Sequence, residues 1–286
     1  SGTTTTTISG DATGAATLTG DADLTVTGTG TLDGALTASN TSSATVAGDA
    51  TGNAVLNDTA TLSVSGSLLG TLTANTSSVA TISGTATGAA TLTGDADLTV
   101  SGTLTGALTA SNTSSASVTG TATGNATLNN TAVLTVSGAL TGNLDANNST
   151  TTTVSGALTG SFDLADTSAA TVSGTLTGSG VLTTDSGLTV SAGGAVKGAT
   201  LVASGTSDIL VNGTGSISGL GAGSNALTLN NSATLNLAAT TGTIKGSLTA
   251  NNTSTATLQG TLTGNVTVNN SARLDGKGTI VGNLTQ

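Results

Sequence analysis

The chain repeats itself every eighteen residues. Aligned on the short motif x-[Val/Ile]-x-Gly, the apolar residue falls at Ile8, Val26, Val46, Val64, Ile82, Val100, Val118, Val136, Val154, Val172 and Val190, and every interval from Val46 to Val190 is 18 residues. A period held for so long belongs to a repeat architecture, in which one coil stacks on the next and buries its apolar side against its neighbours. The interval of 20 residues from Val26 to Val46 contains an extra Thr-Gly in "VTGTGTLDG". Beyond Val190 the spacing loosens, with anchors expected at Val211, Leu235 or Leu237, Leu258 and Leu274, for a total of about fifteen coils. Three segments follow: residues 1–7 as an N-terminal extended stretch, 8–190 as regular coils and 191–286 as less regular coils.

Inside each coil the pattern has a period of two. In "LTVSGALTGNLDA", Leu134, Val136, Leu140, Leu144 and Ala146 alternate with small polar residues, which is the signature of strands with one buried face. Glycines punctuate the run at Gly138 and Gly142, and "NNST" (Asn147 to Thr150) supplies a turn whose side chains bond to nearby backbone. No apolar stripe recurs at 3.6 residues and no capping box precedes an apolar run, so helix is excluded. Three short strands per coil make an all-β, single-stranded β-solenoid, expected to be right-handed, with coils about 4.8 Å apart along the axis. Fifteen such coils span roughly 70 Å. Each coil buries about five or six small residues, and an aromatic side chain is not expected to fit inside so narrow a tube.

Composition then limits the chemistry. The 286 residues include no His, Cys, Glu, Trp, Tyr, Met or Pro, a single Phe (Phe162) and 6% charged residues, leaving almost nothing for acid-base or nucleophilic catalysis. No enzyme activity and no cofactor are expected. The net charge of −10 disfavours nucleic acid. The best metal candidates are the two "GDAD" stretches, where Asp21 with Asp23 and Asp95 with Asp97 stand two apart and offer oxygens to Ca²⁺. The nonapeptide of calcium-binding solenoids is absent, so an exposed turn is the simpler reading. Asn-x-Ser/Thr sequences such as Asn40-Thr41-Ser42 and Asn251-Asn252-Thr253 are expected from this composition alone. Threonines Thr85, Thr103 and Thr121 fall in one row that would suit ice, but the row is bounded by Asp49 and Ser67 before it and by Ala139 and Ala157 after it.

The pattern Gly-x-Leu-x-Gly-x-Leu-x-Ala, present as "GTLTGALTA" (102–110) and "GALTGNLDA" (138–146) and varied as "GTLTGNVTV" (260–268), resembles bactofilins, polymer-forming β-helical proteins with coils of similar length. It is also similar to the passenger regions of secreted bacterial adhesins, as in "LDGKGTIVGNLTQ" at 274–286. The resemblance implies a homopolymer. A serine at position 1, the absence of Met and the absence of any bilayer-spanning apolar stretch suggest an exported chain at the cell surface or outside the cell after signal-peptide removal, beside surface or matrix polysaccharide. A block of four coils appears twice, from Ile8 and again from Ile82, as in a duplicated building unit.

For assembly the ends are the expected site, because no helix, Pro or charge cluster covers either one and an open coil offers unpaired backbone groups. Counted from Leu274, Gln286 is position twelve of a coil, leaving five positions, and Thr3, Thr4, Thr5, Thr6 and Thr7 are five residues preceding Ile8. A shared coil built from one subunit's tail (Leu274, Lys277, Ile280, Leu284, Gln286) and the next one's head is thus expected, head to tail. Charge favours the same contact, since residues 1–190 hold twelve Asp and no base whereas Lys197, Lys245, Arg273 and Lys277 face only Asp208 and Asp275 beyond, a balance of +4 − 2 = +2. An adhesin-like stalk and an ice-binding protein are the alternatives to a structural filament.

Replacing Val118 by Asp places an unpaired carboxylate among apolar neighbours and is expected to cost several kcal/mol. Chemical denaturation of the variant checks it.

Overall fold

The computed structural model describes residues 3–219 and 227–286. Ser1 and Gly2 of the N-terminal stretch, and 220–226 of the less regular coils, lie outside the described residues. Among the described residues there are 45 strands and no helix, and the strands belong to three parallel sheets of 15 strands each, every third strand in chain order falling in the same sheet. The chain is an all-β solenoid of about fifteen coils with three strands per coil. It divides into two compact units, residues 1–134 with 138–141, and residues 135–137 with 142–286.

One coil of the first unit shows the plan. Asp97–Val100 lies in the first sheet, Thr103–Thr105 in the second and Leu108–Ala110 in the third. Each pairs in parallel with the strands one coil away on either side, so that Ile82, Val100 and Val118 stack, as do Ala86, Leu104 and Ala122, and Ala90, Leu108 and Ala126. Val46, Val64, Ile82, Val100 and Val118 in the first unit, and Val136, Val154 and Val172 in the second, are all at most 1% exposed. Inward positions therefore form columns, and outward positions form rows of Thr, Ser, Asn and Asp.

The columns carry a second rhythm of two coils. In the first unit one coil presents Ala44, Val46, Ala50, Ala54 and Leu56 inward, and the next presents Leu62, Val64, Leu68, Leu72 and Ala74. The following two repeat the scheme with Ala80, Ile82, Ala86, Ala90 and Leu92, then Leu98, Val100, Leu104, Leu108 and Ala110. Large side chains thus sit over small ones in four of the five columns, which is how an interior reaches crystalline packing density from few residue types.

The same device corrects one expectation. Phe162 is inside the tube at 2% exposure, between Leu144 and Gly180 in the third sheet. An aromatic ring fits because its neighbour has no side chain: a Cβ on Gly180 would lie 2.0 Å from Phe162 Cζ.

Two described insertions enter at corners and leave the strands in step. The extra residues after Val26 form a turn at Gly28 and Thr29, after which Gly30 resumes the corner position stacked beneath Gly48. Between Val190 and Val211 the turn at Ala192 and Gly193 does likewise, while Val190 still pairs with Val211 and Val211 with Leu237. Leu237, not Leu235, is therefore the anchor. The final anchor also differs from expectation, because Leu258 pairs with Gly276 and Leu274 pairs with Ala256. In "LDGKG" both glycines imitate the motif's corner glycine. Gly278 takes that place, with its N–H donating to Leu258 O at 2.8 Å, and the anchor position is left to Gly276. The five-position deficit counted from Leu274 loses its basis.

Gly180→Ala is expected to destabilise the chain by several kcal/mol, the range of overpacking with severe clash, and Phe162→Leu in the same chain to restore most of it. A double-mutant cycle of denaturant midpoints measures the coupling.

Candidate functional site

The chemistry of this chain is spread along rows. The most ordered row is the turn that follows the third-sheet strand. At its second position Asn40, Asp58, Asn112, Asn130, Asn148, Asp166, Asn231, Asn252 and Asn270 all have φ between 56° and 63°. Asn and Asp tolerate this left-handed conformation better than other residues with a Cβ, and Gly20, Gly94 and Gly205 fill the same place in other coils. Thr76 and Thr184 adopt it too, at φ 62°, where a β-branched side chain is strained.

Side chains of the turn tie coil to coil. Asn57 Nδ2 donates to Ser39 Oγ at 3.3 Å, Asn75 Nδ2 to Asn57 Oδ1 at 3.0 Å, and Thr93 Oγ1 to Asn75 Oδ1 at 2.8 Å. Two positions further along the turn, Thr59 Oγ1 donates to Asn40 O and Thr131 Oγ1 to Asn112 O, both at 2.9 Å. The turn ends on a buried position where Ser42, Ser78 and Ser114 alternate with Ala60, Ala96 and Ala132, and the three hydroxyls have no hydrogen-bond partner. The spacing of Asn along the sequence announces this ladder; nothing in it announces the unpaired hydroxyls.

The calcium candidates are drawn into this framework. Asp21 accepts from Thr41 Oγ1 and Asp95 from Thr113 Oγ1, both within the turn ladder. Asp23 and Asp97 stand instead in first-sheet strands, Asp23 beside Thr5 and Ser43, Asp97 beside Val79 and Ser115. Among the described residues no three metal-ligating side chains gather.

The residues expected at the assembly surface occupy the first and last described coils. Thr3 and Thr4 are exposed, and Thr5–Ile8 is the first-sheet strand of its coil, paired with Asp23–Val26. Thr6, Ile8, Ala12, Ala16, Leu18 and Leu24 line a shallow depression there. In the second unit Leu274 and Ile280 are half-buried beside Gly276 and Gly278 in a similar depression, Lys277 and Gln286 are exposed, and Leu284 is 50% exposed. The head set thus belongs to one unit and the tail set to the other.

Threonines pair across the second sheet as expected. Thr85, Thr103 and Thr121 are in register, with Thr105 and Thr123 beside them, and Thr121 then meets Ala139. The first sheet carries a longer row that sequence reading passed over, Thr7, Thr25, Thr45, Ser63, Thr81 and Thr99. No helix of the described residues is long and apolar enough to cross a membrane.

One acidic pair stands out on the third sheet of the second unit, where Asp145 is the strand partner of Asp163. Partial burial raises the Asp163 carboxyl above its ordinary value, and the neighbouring Asp145 charge adds to the rise.

Two outcomes are expected. Thr76→Asn relieves the left-handed strain and should raise stability by about 1 kcal/mol in a denaturant titration. A carboxyl whose pKa is higher folded than unfolded costs stability once it ionises, so the penalty is present above its folded pKa and absent below its unfolded value. Asp163→Asn should therefore stabilise at neutral pH and match the parent below about pH 3, as paired titrations at the two pH values will read.

No protein-family model, curated protein or solved structure matches this chain.

Proposed function

We propose that the chain is a structural solenoid, a self-assembling subunit of a filament, sheath or matrix at the cell surface or outside the cell, joined head to tail and carrying no catalytic centre or cofactor. One observation carries the reading: each coil offers the next the same parallel backbone edge, strand after strand in all three sheets. A parallel edge of constant contour is complementary to the opposite edge of any other copy, and unpaired edge groups recruit such partners. The outward rows of small hydroxyl side chains suit a load-bearing or spacing surface rather than a reaction, and suit contact with polysaccharide. The likeness to bactofilins supports a polymer, and that to adhesin passengers supports the alternative of a single stalk. Ice binding has narrower support, from three Thr-x-Thr coils in register.

Negative-stain microscopy with sedimentation of the purified chain tests the proposal. Particles that lengthen with concentration are expected. Particles of one fixed length overturn the polymer and leave the stalk, and inhibition of ice recrystallisation by such particles moves the assignment to ice.

A further inference from the structure

The chain has three lysines, and the fold puts all of them on one side. Lys197 and Lys245 are the last, exposed residues of second-sheet strands Ala195–Lys197 and Thr243–Lys245, and Lys277 is exposed at the corner that leads into the second-sheet strand Thr279–Val281. Among the described residues the single ion pair joins Arg273 to Asp275, so the three ammonium groups have no carboxylate within reach.

Several carboxylates are already engaged by the turn and its neighbours: Asp58 accepts from Asn40, Asp166 from Asn148, Asp185 from Thr206 and Asp208 from Thr234. Asp23 and Asp97 in the first sheet and Asp145 and Asp163 in the third are not engaged in this way, and the second sheet of the first unit carries a further set. The carboxylates of Asp11 and Asp49 are exposed there without a hydrogen bond, and that of Asp33, at the end of the intervening strand, accepts one from Thr51 at 3.3 Å.

Spacing links the two groups. Asp11 and Asp49 flank Thr31 and are two coils apart, and Lys197 and Lys245 flank Ser218 and are also two coils apart. Both separations are about 10 Å, twice the distance between neighbouring strands. The residues around the lysines are Ala195, Ser216 and Thr243, and those around the carboxylates are Thr31 and Thr51, all too small to hold another sheet away.

We infer that the second sheet is a lateral docking face for a second copy of this chain, with Asp11 and Asp49 of one copy meeting Lys197 and Lys245 of the other. The contact rests on the self-assembly reading but uses a surface distinct from the coil edges. Matched charges at matched spacing set register and speed of encounter, and they make the contact sensitive to salt. Chains that have also grown lengthwise would then bundle through this face.

Sedimentation velocity and microscopy of the full chain test it with three variants: Asp11→Lys with Asp49→Lys, Lys197→Asp with Lys245→Asp, and Asp23→Lys with Asp97→Lys as a first-sheet control of equal charge change. The parent should pair side by side, with affinity falling at least about tenfold between low and roughly 0.5 M salt. Each second-sheet variant alone should lose pairing, their equimolar mixture should regain it, and the control should pair like the parent. Circular dichroism confirms that each variant is folded. Pairing that survives Asp11→Lys with Asp49→Lys, a control that fails equally, or folded partners whose mixture stays unpaired would overturn the inference. Particle width reports this contact and particle length the head-to-tail one, so single-width filaments sink the lateral face alone and paired particles of fixed length sink the polymer alone.

Discussion

Everything in this molecule follows from laying one backbone directly on another. Parallel pairing in three sheets requires each coil to trace the contour of the coil beneath it, and at the corners the chains come too close for a side chain. A Cβ on Gly120 would stand 2.2 Å from Gly102 O and 2.3 Å from Ser101 O, and one on Gly52 would stand 2.3 Å from Gly34 O. Two glycine columns therefore mark two corners of the triangle. The third corner, where the chain takes a wider turn, is held by Asn, Asp and Thr side chains that bond upward and downward. Hydrogen bonds between coils, rather than a large core, set the shape of each unit.

Given that contour, the interior has little freedom left. Most columns of the first unit set Leu against Ala one coil away, and in the second unit Phe162 lies against Gly180. Buried hydroxyls at Ser42, Ser78 and Ser114 are tolerated without partners, and Ala fills the same position in the coils between. An unpaired buried hydroxyl costs about 1–3 kcal/mol, so these positions are a reserve of stability the chain leaves unused.

Period, strand number and the inward row from Val46 to Val172 were legible in the sequence, because a fixed contour writes the same residue class at the same place in every coil. Phe162 was misread because narrowness was judged from the coil alone, while the space for the ring comes from Gly180 in the next coil, eighteen residues on. Leu274 was misread because "LDGKG" offers two glycines, and only hydrogen bonding to Leu258 tells the corner from the strand end. Of the candidate site, the turn and the row of Thr85, Thr103 and Thr121 could be placed in advance, whereas the first-sheet row from Thr7 to Thr99 was missed. Which side of the tube carries each charge could not, since that depends on the corner at which every inserted residue is absorbed.

The two-coil rhythm of the first unit has a consequence for how such a chain can change length. Removing or adding one coil would set Leu62 against Leu-bearing coils and Ala44 against Ala-bearing ones, producing collisions in one place and voids in the next. Removing or adding two coils would leave every column matched. The first unit is thus free to lengthen or shorten only by even steps, and the copied stretch beginning at Ile8 and Ile82, four coils apart, obeys that parity. Slippage during gene copying would be filtered by the interior itself, so that what persists in descendants is counted in pairs.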